Sequence, residues 1–152
     1  MDKGKVIGSL NDLIEICKDG QNGFKEAADN VKSNDLKSFF NQVATERGRF
    51  AAELQAEVRT LGASPDKSGS ATGAMHRAWM NIKGTFTGKD DQSILSECER
   101  GEDSAVEAYR DALKIGLPAN ILAIAERQFQ SIKQTHDRVK QMRDAKAATT
   151  KR

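Results

Sequence analysis

Helix breakers and sheet formers are both scarce in this chain. Only two of its 152 residues are proline and aromatics make up 5%, so little opposes long helices and little favours a sheet. No uninterrupted apolar run is present, which argues against a signal peptide or membrane span and for a cytoplasmic location. Neither sign of charge dominates. The 24 Lys and Arg are interspersed with 22 Asp and Glu for a net charge of +2, so neither nucleic acid nor an anionic membrane is an expected partner. Cysteine is limited to Cys17 and Cys98, far from any Cys-x-x-Cys spacing and at helical core positions where a thiol behaves as a small apolar group. A disulfide is not expected. Gly-rich phosphate loops, nucleophile elbows and thiol motifs are also missing.

What the chain does have is abundant Ala, Lys, Glu and Leu, with 30% charged residues, which together define an all-α class. Its length suits one domain, read as 1–145 with a flexible basic tail at 146–152. In the first helix, apolar residues fall at Ile7, Leu10, Ile14, Cys17, Phe24, Ala28 and Val31, spaced by threes and fours, with Gln21 where an apolar residue is due. Ser33-Asn34-Asp35 then supplies oxygens to cap a second helix, so the connection is short and the pair antiparallel. That helix carries Leu36, Phe40, Val43, Phe50, Leu54 and Leu61 inward and stops at Gly62. Between Val43 and Phe50 the inward residue is Glu46 or Arg47, and the period alone does not choose.

The connection from 62 to about 91 is longer than the roughly 12 to 15 residues of an ordinary structureless loop. Residues 62–70 read as mobile linker, and 75–82, with Trp79 and Met80, predict a short extra helix. His76 is expected to be exposed there. The connection can run back along the whole bundle, which would make the second and third helices parallel. The third helix begins after Asp90-Asp91 and presents Leu95, Cys98, Glu102, Ala105, Tyr109 and Ala112. Gly116 and Pro118 mark an end and a restart. The fourth follows with Leu122, Ala125, Phe129, Ile132, His136, Val139 and Arg143, and past Met142 the pattern decays into a tail expected to fray.

Polar residues thus interrupt all four stripes. Residues equidistant from a short turn lie at similar heights in antiparallel helices, which puts Gln21 level with Glu46 or Arg47 and Glu102 level with His136. A buried polar group without a partner costs about 1–3 kcal/mol, more if charged. The layer therefore either satisfies itself, Glu102 accepting from Arg47 or protonated His136 while Gln21 bridges, or it binds a metal through carboxylates and imidazole. Gly20, Gly48 and Gly101 are anomalous inside helices, at about 1 kcal/mol each relative to alanine. Their place beside the layer suggests close helix approach or a local bulge.

Leu10-Asn11-Asp12-Leu13-Ile14, Asp19-Gly20 with Gly23-Phe24, Glu46-Arg47, Gly101-Glu102 and Tyr109 resemble, over roughly residues 5–145, a bacterial family of ferritin-like four-helix-bundle proteins catalogued as a domain of unknown function. The repeated half, the long crossover and the Glu102-to-Tyr109 spacing resemble, more distantly, the ferritin and rubrerythrin superfamily. The resemblance implies a ferritin-like four-helix bundle with a long crossover containing the short extra helix, a homo-oligomer with a dimer favoured, and a stress-related role. The superfamily's di-iron pattern sets one Glu on the first and third helices and Glu-x-x-His on the second and fourth. Here Gln21 replaces the first Glu, Arg49 stands where a His should follow Glu46, and Lys133 stands where a Glu should precede His136. Glu46, Glu102 and His136 are what remains. The expectation is a non-enzymatic protein without a cofactor, its metal layer become a polar network of these residues with Gln21 and Arg47. The alternative is a metal-binding protein or oxidoreductase in which those three hold one iron or zinc.

Overall fold

Asp2, Ser33 and Asp90 each turn a side-chain oxygen onto backbone N–H groups left free at a helix start, accepting from Gly4 N (3.2 Å), Leu36 N (3.3 Å) and Ser93 N (2.8 Å). The protein is represented by a computed structural model that describes residues 2–64, 86 and 88–150. The helices begun by these caps are α1 (Lys3–Asn30), α2 (Asn34–Thr60) and α3 (Asp91–Ala112), and α4 (Ala119–Thr150) follows Pro118. Among the described residues there is no strand. The result is an all-α four-helix bundle, as the spacing predicts. The short helix predicted over 75–82, with Trp79, and the exposed His76 lie outside the described residues.

The helix ends follow local chemistry. α2 closes with paired bonds, Gly62 N to Arg59 O (2.9 Å) and Ala63 N to Val58 O (3.1 Å), which require a left-handed residue. Gly62 supplies it at φ 85°, and Gly116 does the same after α3 at φ 86°. α4 gives no such stop at 145; its backbone stays helical to Thr150. The alanines at 145, 147 and 148 favour helix even after the apolar stripe has ended.

Only Val31, Lys32 and Ser33 separate α1 from α2, so these pack antiparallel, and α3 and α4 form the second such hairpin. Asp91 joins the two. Its Oδ1 accepts from Lys32 N (2.8 Å) and its Oδ2 from Ser33 N (3.0 Å), fixing the start of α3 beside the α1–α2 turn. Gly62 lies near Lys3 at the opposite end. α2 and α3 therefore run parallel, as expected from the length of the connection between them. α1 packs on both α2 and α3, while α2 and α4 meet more sparsely.

The inward faces of α1, α2 and α3 largely follow the spacing read from the sequence. Leu10, Ile14, Cys17, Phe24, Phe40, Leu54, Leu95 and Tyr109 are all fully buried, whereas Ile7 and Leu61 are only partly so. α4 departs from it. Its buried line is Ile121, Ala125, Gln128, Ile132, Thr135 and Val139, and Leu122, Phe129 and His136 sit one residue further round, partly exposed. One residue turns a helix by 100°, enough to exchange Gln128 for Phe129 and Thr135 for His136 in the core. No described helix is long and apolar enough to cross a membrane.

Candidate functional site

Position 47 lies four residues after Val43 and three before Phe50, and it is Arg47, not Glu46, that α2 turns into the core. Arg47 is 1% exposed and Glu102 of α3 is 0% exposed. They meet as a two-pronged ion pair, Nη1 donating to Oε1 (2.6 Å) and Nη2 to Oε2 (2.5 Å). The guanidinium carbon also stands 5.5 Å from the centroid of the Phe24 ring. Burial alone would pull the proton off Arg47, but the Glu102 carboxylate overrides it and holds the guanidinium more firmly protonated than usual. Arg47 Nε is buried and has no partner among the described residues.

Room for the arginine comes from α1. A Cβ at Gly20 would lie 3.1 Å from Arg47 Nη1, and in return a Cβ at Gly48 would lie 2.7 Å from Gln21 Nε2. Each glycine thus accepts the long side chain of the facing helix. The close approach expected at Gly20 and Gly48 is one of side chain to backbone, and Gly101 is buried as well.

A second polar chain takes one side chain from each helix. Tyr109 Oη of α3 donates to Gln128 Oε1 of α4 (2.7 Å), and Gln128 Nε2 donates to Glu53 Oε1 of α2 (2.9 Å) and to Phe50 O (3.4 Å). Because both partners of Gln128 Nε2 are acceptors, its oxygen must face Tyr109. That uses the one phenolic proton. Cys17 Sγ of α1, 3.1 Å from Tyr109 Oη, is then the donor in their contact. Burial pushes the Cys17 thiol up to about 11, outweighing Tyr109 and Arg47, which lower it. Burial also raises Tyr109 and Cys98, Tyr109 further through Cys17 and Cys98 further through Glu102. These groups stay protonated at neutral pH, so neither cysteine offers a nucleophilic thiolate.

The remaining candidates from the sequence go elsewhere. Gln21 is half-buried against Gly48 and makes no hydrogen bond among the described residues, so it does not bridge the layer. Glu46 is half-buried and accepts from Ser131 Oγ of α4 (2.5 Å). His136 has the height of Glu102 but not its direction. Its Nε2 faces Asp103 Oδ1 (2.5 Å) and its Nδ1 faces Asp137 Oδ1 (3.1 Å) at the edge of the α3–α4 pair. Burial alone would lower the imidazole, but its bonds to Asp137 and Asp103 outweigh that and raise it above its ordinary value.

Glu46, Glu102 and His136 therefore turn to three different partners. Among the described residues no group of three His, Cys, Asp or Glu is placed to hold a metal ion. The donor set does not fit one either, because the guanidinium of Arg47 occupies both Glu102 oxygens and puts a positive charge where a cation would bind. The apolar stripes of the sequence do not single out Gln128 or Glu53. The available signals were the position of Gln128, three after Ala125 and four before Ile132, and the need of a buried Tyr109 hydroxyl for a partner.

These features define a four-helix bundle closed around a buried Arg–Glu pair, with a hydrogen-bonded chain of one side chain per helix alongside. The chain belongs to the family described as a domain of unknown function, DUF2383, whose model matches residues 5–115. That span covers nearly all of α1 and all of α2 and α3, with Cys17, Arg47, Glu102 and Tyr109; Gln128 lies beyond it. No curated protein matches the chain.

Proposed function

We propose that this is a non-enzymatic, ferritin-like bundle, a structural or interaction protein in which an ancestral metal layer has been replaced by the Arg47–Glu102 ion pair. The observation that carries this reading is the two-pronged contact at 2.6 and 2.5 Å, which leaves neither oxygen of Glu102 free for a metal. The guanidinium supplies internally the positive charge that a metal ion would otherwise bring to a buried carboxylate. Protonated, mutually bonded Cys17 and Tyr109 support it further, since neither is poised for covalent or redox chemistry. The wider setting in this reading is a cytoplasmic homodimer with a stress-related role, acting on no nucleic acid or membrane.

Metal analysis of protein purified without added metal, followed by titration with iron and zinc, tests the proposal. The expected result is no stoichiometric metal. Glu102→Gln should lower stability to urea by about 3–5 kcal/mol, because it strands a buried guanidinium. Stoichiometric iron or zinc in the wild type that disappears in His136→Ala or Glu46→Ala would overturn the proposal and restore the single-metal alternative.

A further inference from the structure

α4 is the most thinly anchored helix of the bundle. Its buried apolar side chains, among the described residues, are Ile121, Ala125, Ile132 and Val139, whereas the shorter α3 buries Ile94, Leu95, Cys98, Ala105, Tyr109 and Ala112, and α1 and α2 bury more still. Two further inward positions of α4 are polar, Gln128 and Thr135. The helix packs on α3, meets α2 only sparsely, and among the described residues does not pack on α1 at all.

What holds the α2–α4 edge is mainly polar. Arg127 and Gln128 of α4 bond to Glu53, and Ser131 bonds to Glu46, with both glutamates only half-buried. Contacts that water can reach are exchanged for contacts with water at little net cost. A groove of about 230 Å³ lies along the same edge, between Phe39 and Glu46 of α2 and Ser131 and Arg138 of α4. The α1–α2 pair is the opposite case, joined by Phe24 and Phe40 with ring centroids 5.6 Å apart.

Few buried apolar contacts and water-accessible polar ones mark the parts of a protein that open first. We propose that α4 is a releasable helix, which swings out from the α2 edge as a unit about its contacts with α3 while α1, α2 and α3 stay folded together. This opening parts Gln128 from Glu53 and from the Phe50 carbonyl. Cys17, Tyr109 and Gln128 are all 0% exposed in the closed bundle, so the α2–α4 edge is their route to water.

Native-state hydrogen exchange of the full chain, read by mass spectrometry of peptides from each helix at low urea, tests this. A helix undocked from its partners is marginal in water, so its amides exchange when it opens. Amides between Ile121 and Val139 are expected to exchange roughly tenfold or more faster than the slowest amides of α1 and α2. Phe24→Leu weakens the α1–α2 contact, which survives the opening, and should speed exchange in α1 and α2 by about tenfold while leaving α4 as it was. Thr135→Val adds an apolar group to the inner face of α4 and should slow its exchange by about threefold. The proposal is overturned if the centre of α4 exchanges no faster than α1 and α2, or if α3 exchanges together with it, since the hairpin would then open as one. It is also overturned if Phe24→Leu speeds α4 by the same factor as α1, or if Thr135→Val leaves α4 unchanged.

Discussion

At Cys17 the burial that suits a thiol to a helical core also removes its reactivity. The thiolate is the species that attacks an alkylating agent, and a thiol held up to about 11 carries very little of it at neutral pH. Its proton is engaged as well, in the contact with Tyr109. Cys98 shares the burial and lies beside the charge of Glu102. Iodoacetamide should therefore leave both cysteines unmodified in the native protein and modify both in urea, as read by intact mass. Labelling of Cys17 in the native state at the rate of a free thiol would show that the Cys17–Tyr109 contact does not protect it.

Between elements, the α1–α2 contact turns on two glycines with opposite expected responses to a methyl group. Replacing a mid-helix glycine by alanine gains about 1 kcal/mol in propensity if the new Cβ can be accommodated. At Gly48 the obstacle is the far end of Gln21, a half-buried amide without hydrogen bonds among the described residues, which can swing aside. At Gly20 it is Arg47 Nη1, clamped to Glu102 and unable to yield. Gly48→Ala should be neutral or raise the melting temperature, and Gly20→Ala should lower it. The reverse order would mean that Gln21, not Arg47, is the fixed side chain. At this scale the sequence was legible in height and less so in direction. Counting from the turns puts Gln21 level with Glu46 or Arg47 and Glu102 level with His136, because helical rise is uniform. Whether a side chain points in or out depends on a rotation of 100° per residue, and on α4 the apolar Phe129 drew the stripe toward itself and away from Gln128. Polar residues that face inward, such as Gln128, leave no hydrophobic signal, so the hydrogen-bonded chain is a feature of the folded bundle that the apolar pattern does not carry.

Across the molecule, polar contacts also tie the helices along their edges, within the second hairpin and between the two hairpins. His136–Asp103 and Arg143–Glu99 link α3 to α4, while Glu46–Ser131 and Glu53–Gln128 link α2 to α4. His136 makes one of these links sensitive to pH. Its folded-state value is raised above 6.5, so its contribution to stability is fully present below about pH 6.5 and is lost as pH rises through the folded value. Asp103 and Asp137 are 63% and 60% exposed, so solvent screens the effect and it should amount to no more than about 1 kcal/mol. Melting curves of the wild type and His136→Gln between about pH 5.5 and 8 should converge as the pH rises. A constant difference between them would exclude the titration of His136 as its origin.

The Arg47–Glu102 pair spans the seam where one hairpin meets the other, and this bears on assembly as well as on the finished bundle. If the hairpins met with a slip of one helical turn, about 5.4 Å, the guanidinium would come to rest against Cys98 or Ala105 instead of a carboxylate. A buried charge stranded in this way would cost about 3–5 kcal/mol. The pair therefore sets a penalty on any misregistered docking of the two halves, over and above what their apolar packing imposes.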